Sequence, residues 1–203
     1  MAFSLDVSPL TAISLAQTLS ADELERAARI AFPVDRRRFV VARGFLRAAL
    51  GRELGLRPDA VRIELDDNGK PRVRGRLRFN LAHSHELAVI AVGADRELGV
   101  DVEHLRPLPR RSELAAAVLT GRERDALDAL PEQRRDRAFL TAWTRKESYL
   151  KARGVGLSVA PSEVAVSLSG PARLLEAHDA DRWVLRALAP AAGYVGALTI
   201  ARE

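Results

Sequence analysis

The sequence has 203 residues, of which 47% are hydrophobic and 29% are charged. This balance is typical of a soluble globular protein and excludes an intrinsically disordered one. The chain contains no cysteine, which excludes disulfides, thiolate metal sites and cysteine nucleophiles. Arginine and lysine number 32 against 27 acidic residues, giving a net charge of +5, and the only lysines are Lys70, Lys146 and Lys151.

The excess positive charge lies in residues 1–80, which carry 15 cations and 10 anions, whereas residues 81–203 carry 17 of each. This distribution favours a partner with phosphates or carboxylates, although a solvated arginine-rich helical surface would explain it equally well. The N-terminus lacks a basic segment followed by an apolar run, and no apolar stretch is long enough to cross a bilayer. These features predict a cytoplasmic protein.

The first half of the chain is predicted to run from helices to strands. Ser20 followed three residues later by Glu23 is a capping box, which predicts a helix that begins at Ser20. Apolar residues at helical spacing predict a longer helix over residues 35–54, ended by Gly55. Alternating residues predict a strand over residues 61–65. Three further strands are predicted over residues 77–81, 87–92 and 98–103.

The second half repeats this order. Pro107 and Pro109 predict a hinge, so we divide the chain into lobes of residues 1–106 and 107–203. Helices are predicted over residues 112–119, 122–130 and 134–153. Strands are predicted over residues 163–168, 173–176, 182–188 and 194–201. The fold class is therefore α+β, with two similar α+β lobes but no clear repeat of individual residues.

Two carboxylates lie close together in the third of these strands. Asp101 and Glu103 are two residues apart and therefore share one face of the strand. Gly99 shares that face, and we expect it to leave room beside them. Adjacent carboxylates repel each other unless a cation joins them, and Mg²⁺ takes oxygen ligands of this kind. The alternative is a solvent-facing strand edge with ordinary acidic residues.

A second polar group lies on the helix predicted over residues 134–153. Trp143, Glu147 and Lys151 are spaced four apart and form one stripe. Glu147 four residues before Lys151 is also a common surface ion pair. The functional alternative directs an aromatic ring, an acid and a cation into one cleft. The scarcity of lysine favours that alternative, because a compact ammonium is not equivalent to a guanidinium.

Two histidines follow a predicted strand. His83 and His85 have no third nitrogen or thiolate ligand nearby in the sequence, which disfavours a zinc site. We expect His83 to contact an anion, with Ser84 as a hydroxyl donor. The simpler alternative, in which the Asn80 and Ser84 side chains stabilise a turn, is compatible with this prediction.

Four motifs in order resemble those of the 4′-phosphopantetheinyl transferases, in particular the surfactin-type branch that activates carrier proteins of nonribosomal peptide and polyketide synthases. These motifs are Gly69-Lys70-Pro71, Phe79-Asn80-Leu81-Ala82-His83-Ser84, Gly99-Val100-Asp101-Val102-Glu103 and Trp143-Thr144-Arg145-Lys146-Glu147-Ser148-Tyr149-Leu150-Lys151. A Gly-Val-Gly-Leu segment at residues 154–157 follows them. The resemblance implies a pseudo-two-fold monomer of two α+β lobes, with coenzyme A bound in the cleft between them.

The resemblance also implies a reaction. The phosphopantetheine arm of coenzyme A would pass to a serine of an apo acyl or peptidyl carrier protein, releasing adenosine 3′,5′-bisphosphate. Mg²⁺, or alternatively Mn²⁺, would be held by Asp101, Glu103 and Glu147. Glu147 would also remove the serine proton, and Lys151 would lie at the scissile phosphate. The residues expected at the adenosine 3′-phosphate end are Arg43, Lys70 and His83, with the Ser84 hydroxyl beside His83.

One residue departs from the family pattern, which usually has serine where this chain has Ala82. A missing hydroxyl would remove one hydrogen bond to the nucleotide, typically about 1 kcal/mol. In the segment 120–123, we expect Thr120 and Glu123 to form a capping box and Arg122 to contact the carrier protein. The rival hypothesis is a basic nucleic-acid-binding module. The charge of +5 supports it, whereas the aromatic content of 5% and the lack of a known reader motif count against it.

Overall fold

The computed structural model describes residues 1–203 except for the side chain of Leu157, the last residue of the Gly-Val-Gly-Leu segment. The α-helices are α1 (Pro9–Ala16), α2 (Ala21–Ala28), α3 (Pro33–Leu54), α4 (Arg111–Val118), α5 (Gly121–Asp128) and α6 (Glu132–Arg153). The strands are β1 (Ala2–Ser4), β2 (Glu64–Leu65), β3 (Pro71–Arg72), β4 (Leu77–Ser84), β5 (Leu87–Ala94), β6 (Leu98–His104), β7 (Ala165–Val166), β8 (Leu174–Glu176), β9 (Trp183–Leu188) and β10 (Tyr194–Ala201). None of the described helices is both long and apolar enough to span a bilayer.

Two antiparallel three-stranded sheets, in the orders β1-β5-β4 and β6-β10-β9, form the centre of the molecule. The chain enters each sheet through one strand, forms three helices and a two-stranded ribbon, and returns through two strands. The ribbons are β2-β3 and β7-β8. The same path is thus followed twice, which confirms the predicted α+β fold with two similar lobes.

The repeat in topology begins again at β6. This strand pairs along its whole length with β10, so it is the first strand of the second sheet. It lies before residue 106, where the sequence led us to place the boundary between the lobes. The point at which the two lobes separate as folding units stays a prediction.

The two longest helices, α3 and α6, each have 22 residues and each end at a glycine in the left-handed conformation. Gly55 has φ 67° and Gly154 has φ 68°, values that cost other residues a steric penalty. Both helix ends were predicted from the sequence. α3 packs its apolar residues Leu46 and Leu50 onto the first sheet, whereas α6 contributes Phe139 and Leu150 to the core of the second lobe.

A repeat of individual residues is also present, although the sequence alone did not reveal it. Ser20 and Glu23 form a capping box at the start of α2, and Thr120 and Glu123 form one at the start of α5. Both boxes were predicted as separate motifs. Each supplies a glutamate that turns inward and is almost fully buried. The two lobes therefore share a motif as well as a topology.

Each of these buried glutamates binds a cation from the long helix of its lobe. The Arg47 Nε donates to Glu23 Oε2 at 2.5 Å, and the Lys146 Nζ donates to Glu123 Oε2 at 2.5 Å. Arg47 and Lys146 lie eight residues before Gly55 and Gly154, respectively, so they occupy equivalent places in α3 and α6. Charges removed from water are tolerated when they are paired in this way.

The short elements differ most from the predictions. The strand predicted over residues 61–65 forms only at Glu64–Leu65, and the one predicted over residues 163–168 forms only at Ala165–Val166. Neither β1 nor α1 was predicted. β1 is three residues long and exists because it pairs with β5, where the Met1 amino group also donates to the Ile90 carbonyl at 2.7 Å. Such segments depend on tertiary contacts more than on local sequence.

The two sheets meet where β4 lies beside β6. The Val100 amide donates to Asn80 Oδ1 at 2.9 Å, so the Asn80 side chain joins the two strands. Ala82, Val100 and Val102 belong to one buried apolar cluster at this junction. The strands that carry the histidine and carboxylate motifs are therefore fixed side by side.

Candidate active site

α6 crosses β6 in direct backbone contact at Gly99. A Cβ at this position would lie 2.2 Å from the Ser148 carbonyl oxygen and 2.3 Å from the Ala152 amide nitrogen. Only glycine therefore permits the crossing. Our expectation that Gly99 leaves room beside the carboxylates is wrong, because the backbone of α6 fills that space. The close approach brings the last turns of α6 onto the acidic residues of β6.

Asp101 is 7% exposed and forms a salt bridge with Lys151, whose Nζ donates to Asp101 Oδ1 at 2.6 Å. The other carboxylate oxygen, Oδ2, is buried without a hydrogen-bond partner in the described part of the chain. Burial raises the pKa of Asp101 to about 7, Lys151 opposes this rise, and Glu147 and Glu103 add to it. The alternative of an ordinary solvent-facing acid is therefore wrong for Asp101.

Glu103 is held from two sides. The Ser84 hydroxyl donates to Glu103 Oε2 at 2.8 Å, and Arg106 donates to the same oxygen at 2.9 Å. The Ser84 oxygen also accepts from the His104 amide at 3.1 Å. Ser84 thus orients Glu103, and its hydroxyl proton is already engaged.

Glu147 is half-buried one turn before Lys151 on α6. Burial raises the pKa of Glu147 first and the charge of Glu103 raises it further, whereas Lys151 lowers it. Lys151 pairs with Asp101 instead of forming the surface ion pair with Glu147 that the spacing also allowed. The Glu147 carboxylate consequently faces the other acids as an acceptor of raised basicity.

A cavity of about 300 Å³ lies between the two lobes at this point. The first lobe contributes Lys70 and Asn80 to its wall, and the second contributes Glu147, Lys151 and Gly154. Trp143, which shares a helical stripe with Glu147, packs against the core of the second lobe instead. The predicted convergence of an acid and a cation on a cleft is therefore observed, but the aromatic ring is not part of its wall.

Lys70 is buried and its ammonium is fully engaged. Its Nζ donates to Glu97 Oε2 at 2.8 Å, to the Leu98 carbonyl at 3.1 Å and to the Ala152 carbonyl at 2.8 Å. An ammonium has three protons, so these acceptors use all of them. Lys70 thereby joins the β2-β3 ribbon to α6 and to the start of β6. Its contact with the adenosine end stays a prediction, and it would require one of these bonds to be given up.

The two other residues predicted at the nucleotide end differ in their surroundings. His83 is exposed beside the acidic residues, and its pKa is lowered by partial desolvation first and then by the charges of Lys151 and Arg38. Arg43 instead donates to the buried Glu23 at 2.6 Å and is not part of the cavity wall. The structure thus brings His83 close to Lys151, whereas Arg43 is bound to Glu23, the glutamate of the first capping box.

The acids of β6 and α6 are candidate ligands for a divalent cation. Among the described side chains, no three His, Cys, Asp or Glu residues are arranged so that they could hold a metal ion. The chemistry of the acids nevertheless fits one, because Glu103 and Glu147 raise the pKa of Asp101 and the buried Asp101 Oδ2 is unpartnered. A cation among these three carboxylates would remove their mutual repulsion.

Two residues that organise the site were not predicted to do so. Asn80 lies in a strand as predicted, but its side chain, which the simpler alternative had stabilise a turn, instead holds β6 through the Val100 amide. Arg38 lies close enough to His83 to lower its pKa. Ala82, whose missing hydroxyl we placed at the nucleotide, points into the buried cluster between the sheets. A polar residue on the inward side of an alternating strand could have indicated the role of Asn80.

Two family models and several known proteins that match this chain carry the same family name. Residues 97–198 match the family model described as the 4′-phosphopantetheinyl transferase superfamily, and residues 8–95 match that described as 4′-phosphopantetheinyl transferase, N-terminal. The chain is 41% identical over 193 residues to the 4′-phosphopantetheinyl transferase HetI of Nostoc sp., covering 92% of this chain and 80% of that protein. It is 30% identical over 153 residues to the 4′-phosphopantetheinyl transferase psf-1 of Bacillus pumilus, covering 74% and 64%.

A solved structure, the holo-[acyl-carrier-protein] synthase of Thermotoga maritima, is similar at 20% identity with a TM-score of 0.43. This match covers 53% of the present chain and 63% of that chain. The two family models adjoin at residues 95 and 97, between β5 and β6.

Proposed function

Because this chain belongs to the 4′-phosphopantetheinyl transferase superfamily, we propose that it transfers the phosphopantetheine arm of coenzyme A to a serine of an apo acyl or peptidyl carrier protein. The serine oxygen attacks the phosphorus that carries the pantetheine arm, the anhydride bond breaks, and adenosine 3′,5′-bisphosphate leaves. The observation that carries this proposal is the presence of Glu147 and Lys151 on the wall of the cleft between the lobes, with Asp101 bound to Lys151.

Glu147 is the base that takes the proton of the attacking serine. A base works best when its pKa lies near the operating pH, and burial together with Glu103 raises the pKa of Glu147 in that direction. Its place on the cavity wall, one turn from Lys151, supports this role.

Lys151 stabilises the charge that develops on the departing bisphosphate. Its ammonium is only partly exposed and is held at 2.6 Å by Asp101, so its position is fixed before the substrate binds. Phosphoryl transfer depends mainly on such positioning and on electrostatic stabilisation. Asp101 therefore acts on the reaction partly through Lys151.

We infer that Asp101, Glu103 and Glu147 would hold Mg²⁺, with Mn²⁺ as the alternative, after their side chains turn from the described arrangement to converge on the ion. Bound there, the ion would neutralise the diphosphate of coenzyme A. Ser84 and Arg106 keep Glu103 oriented, and Asp101 Oδ2 offers an oxygen that has no other partner in the described structure. His83, exposed beside Lys151 and Arg38, is the residue we assign to the 3′-phosphate.

The partners follow from the same site. We propose that the enzyme works as a monomer, since the two lobes of one chain form the cleft. We also propose that it works in the cytoplasm. Arg122 is exposed and pairs with Glu176 at 2.9 Å, and it remains our candidate contact for an acidic carrier protein. Thr120 and Glu123 beside it form the capping box that we predicted.

Salt bridges weaken the nucleic-acid hypothesis. Of the 15 cations in residues 1–80, at least ten lie within salt-bridge distance of a carboxylate. Most of these cations therefore already contact an acid and are not free to bind phosphates, although the net charge of +5 is unchanged by the pairing.

The test is to incubate the purified protein with coenzyme A, Mg²⁺ and apo carrier proteins, and to measure their intact mass. We expect a gain of one phosphopantetheine on at least one acyl or peptidyl carrier. Glu147→Gln should slow transfer by about a hundredfold or more while its thermal unfolding stays cooperative. Glu132→Gln, on the exposed first turn of the same helix, is the matched control and should remain active. The proposal fails if no carrier in a broad panel gains mass.

A further inference from the structure

A second cavity, of about 570 Å³, lies in the second lobe between α6, the segment 168–170 and the adjacent ends of β9 and β10. Its wall includes Arg134, Arg137, Thr141 and Arg145, which lie along one face of α6 because they are three, four and four residues apart. None of the residues of the cleft cavity contributes to it. It is therefore a separate and larger space.

Arg145 differs from the other buried cations of the described structure. Arg47, Lys70 and Lys146 each contact a carboxylate. Arg145 is 2% exposed, yet the oxygens that it contacts are all neutral. Its Nη1 donates to the Ser167 carbonyl at 2.5 Å and its Nη2 to the Gly170 carbonyl at 2.8 Å. Its Nε is buried without any described partner.

This arrangement leaves a positive charge out of water without a counter-ion. Burial lowers the pKa of the Arg145 guanidinium, and no carboxylate opposes that effect. Buried charges are ordinarily paired, because an unpaired one costs several times more than a neutral polar group. An anion in the cavity would supply the missing charge.

The arginines of α6 divide according to the side on which they lie. Arg135 and Arg153 are outside the cavity wall, and they pair with Glu132 and Asp179. Arg134 and Arg137 are exposed on the wall, and no salt bridge to a described side chain neutralises either of them. No acidic residue contributes to the wall. The wall of this cavity therefore carries three cations and, among the described residues, no acid.

The rest of the wall is apolar or carries hydroxyl groups. Leu130, Leu168, Leu188 and Val195 form an apolar surface, and Ser169 lies beside them. The volume lies in the range that holds a small organic ligand. We propose that this cavity binds a small organic oxyanion, a phosphate monoester or a carboxylate on an apolar body, independently of the cleft.

Titration calorimetry with phenyl phosphate and with benzoate tests this proposal and separates the two kinds of anion. Both titrations are run without coenzyme A, and paired variants distinguish this cavity from the cleft. We expect at least one probe to bind the unmodified protein, and the uncharged analogue benzyl alcohol to bind at least about tenfold more weakly. Failure of both anions to bind would overturn the proposal.

Paired variants locate the binding. The exposed double substitution Arg134→Gln/Arg137→Gln should weaken binding by about tenfold or more. The double substitution Arg62→Gln/Arg74→Gln removes the same charge from exposed positions in the first lobe and should leave the affinity unchanged. Equal affinity in both double variants would overturn the proposal. The readout is binding, not transfer, so it is independent of the proposed activity.

Discussion

Lys70 and Lys146 show why this arginine-rich chain retains lysine. Each ammonium is buried and donates to three oxygens, which for Lys146 are Glu123 Oε2 and the Val118 and Pro161 carbonyls. A planar guanidinium has a different shape and needs differently placed acceptors, as the guanidinium of Arg47 has in the first lobe. The sequence indicated correctly that these positions were special. It could not indicate that both lysines bind within the protein, since their acceptors lie up to 82 residues away.

Asp101 gives the protein a specific dependence of stability on pH. Its pKa rises from 3.8 to about 7 on folding, so the folded chain holds this proton more tightly than the unfolded chain does. The contribution of Asp101 to the free energy of unfolding therefore falls as the pH rises from about 4 to about 7. The fall should amount to roughly 2–4 kcal/mol in metal-free protein.

Urea unfolding in the presence of EDTA, at several pH values between about 4 and 8, measures this fall. Asp101→Asn should remove it, whereas the exposed control Asp67→Asn should retain it. Added Mg²⁺ should reduce it, because a bound cation favours the ionised carboxylate. The same pH dependence in unmodified protein and in Asp101→Asn would contradict the prediction.

At the scale of elements, the long segments were the most predictable. The ends of α3 and α6 were found because each helix has a repeated apolar pattern and a terminal glycine. β10 was predicted with its observed bounds. The predictions for the two-residue strands β2 and β7 were too long, because an alternating pattern alone does not show where the paired partner strand ends.

The close contact between α6 and β6 leads to a prediction about the stability of the protein. Gly99→Ala should lower the free energy of unfolding by about 3 kcal/mol or more, because the new Cβ would overlap the backbone of α6. Gly121→Ala is the matched control, since a Cβ there meets nothing within 4 Å and alanine favours the helix. Chemical denaturation measures both. A cost below about 1 kcal/mol for Gly99→Ala would show that the helix can move away freely.

At the scale of the whole molecule, the two lobes repeat a buried acid–cation pair with different cations. Both cations also donate to two carbonyls, but Lys146 is a compact ammonium that is 0% exposed, whereas Arg47 is 3% exposed and its guanidinium spreads the charge over several N–H groups. The same Glu-to-Gln substitution should therefore lower the free energy of unfolding by a different amount in each lobe. Glutamine can keep the capping-box hydrogen bond, so a Glu-to-Gln change removes the charge and one of the two acceptor oxygens.

Glu123→Gln should cost roughly 3–5 kcal/mol of unfolding free energy, and Glu23→Gln roughly 2–3 kcal/mol. The double change Glu123→Gln/Lys146→Met should recover part of the loss, because it removes the unpaired charge. Urea unfolding of the three variants measures these costs. If the double variant were no more stable than Glu123→Gln, the buried charge would not be the cause.

The candidate site was predictable in its residue types and less so in its contacts. Asp101, Glu147 and Lys151 were identified from spacing and from the family resemblance, and the structure places them together. The attachment of Ser84 to Glu103 and of Arg43 to Glu23 was not predictable, because each joins residues about 20 apart in different elements. Such contacts depend on how the lobes pack, which no local pattern encodes.

The absence of a side chain at position 99 also constrains how this gene can vary. Every single-nucleotide missense change in a glycine codon introduces a residue that has a Cβ, and a Cβ here would overlap the backbone of α6. Purifying selection should therefore act on this codon as strongly as on those of the acids, although the residue has no functional group. At Gly121, where a Cβ meets nothing, the codon should drift freely towards alanine.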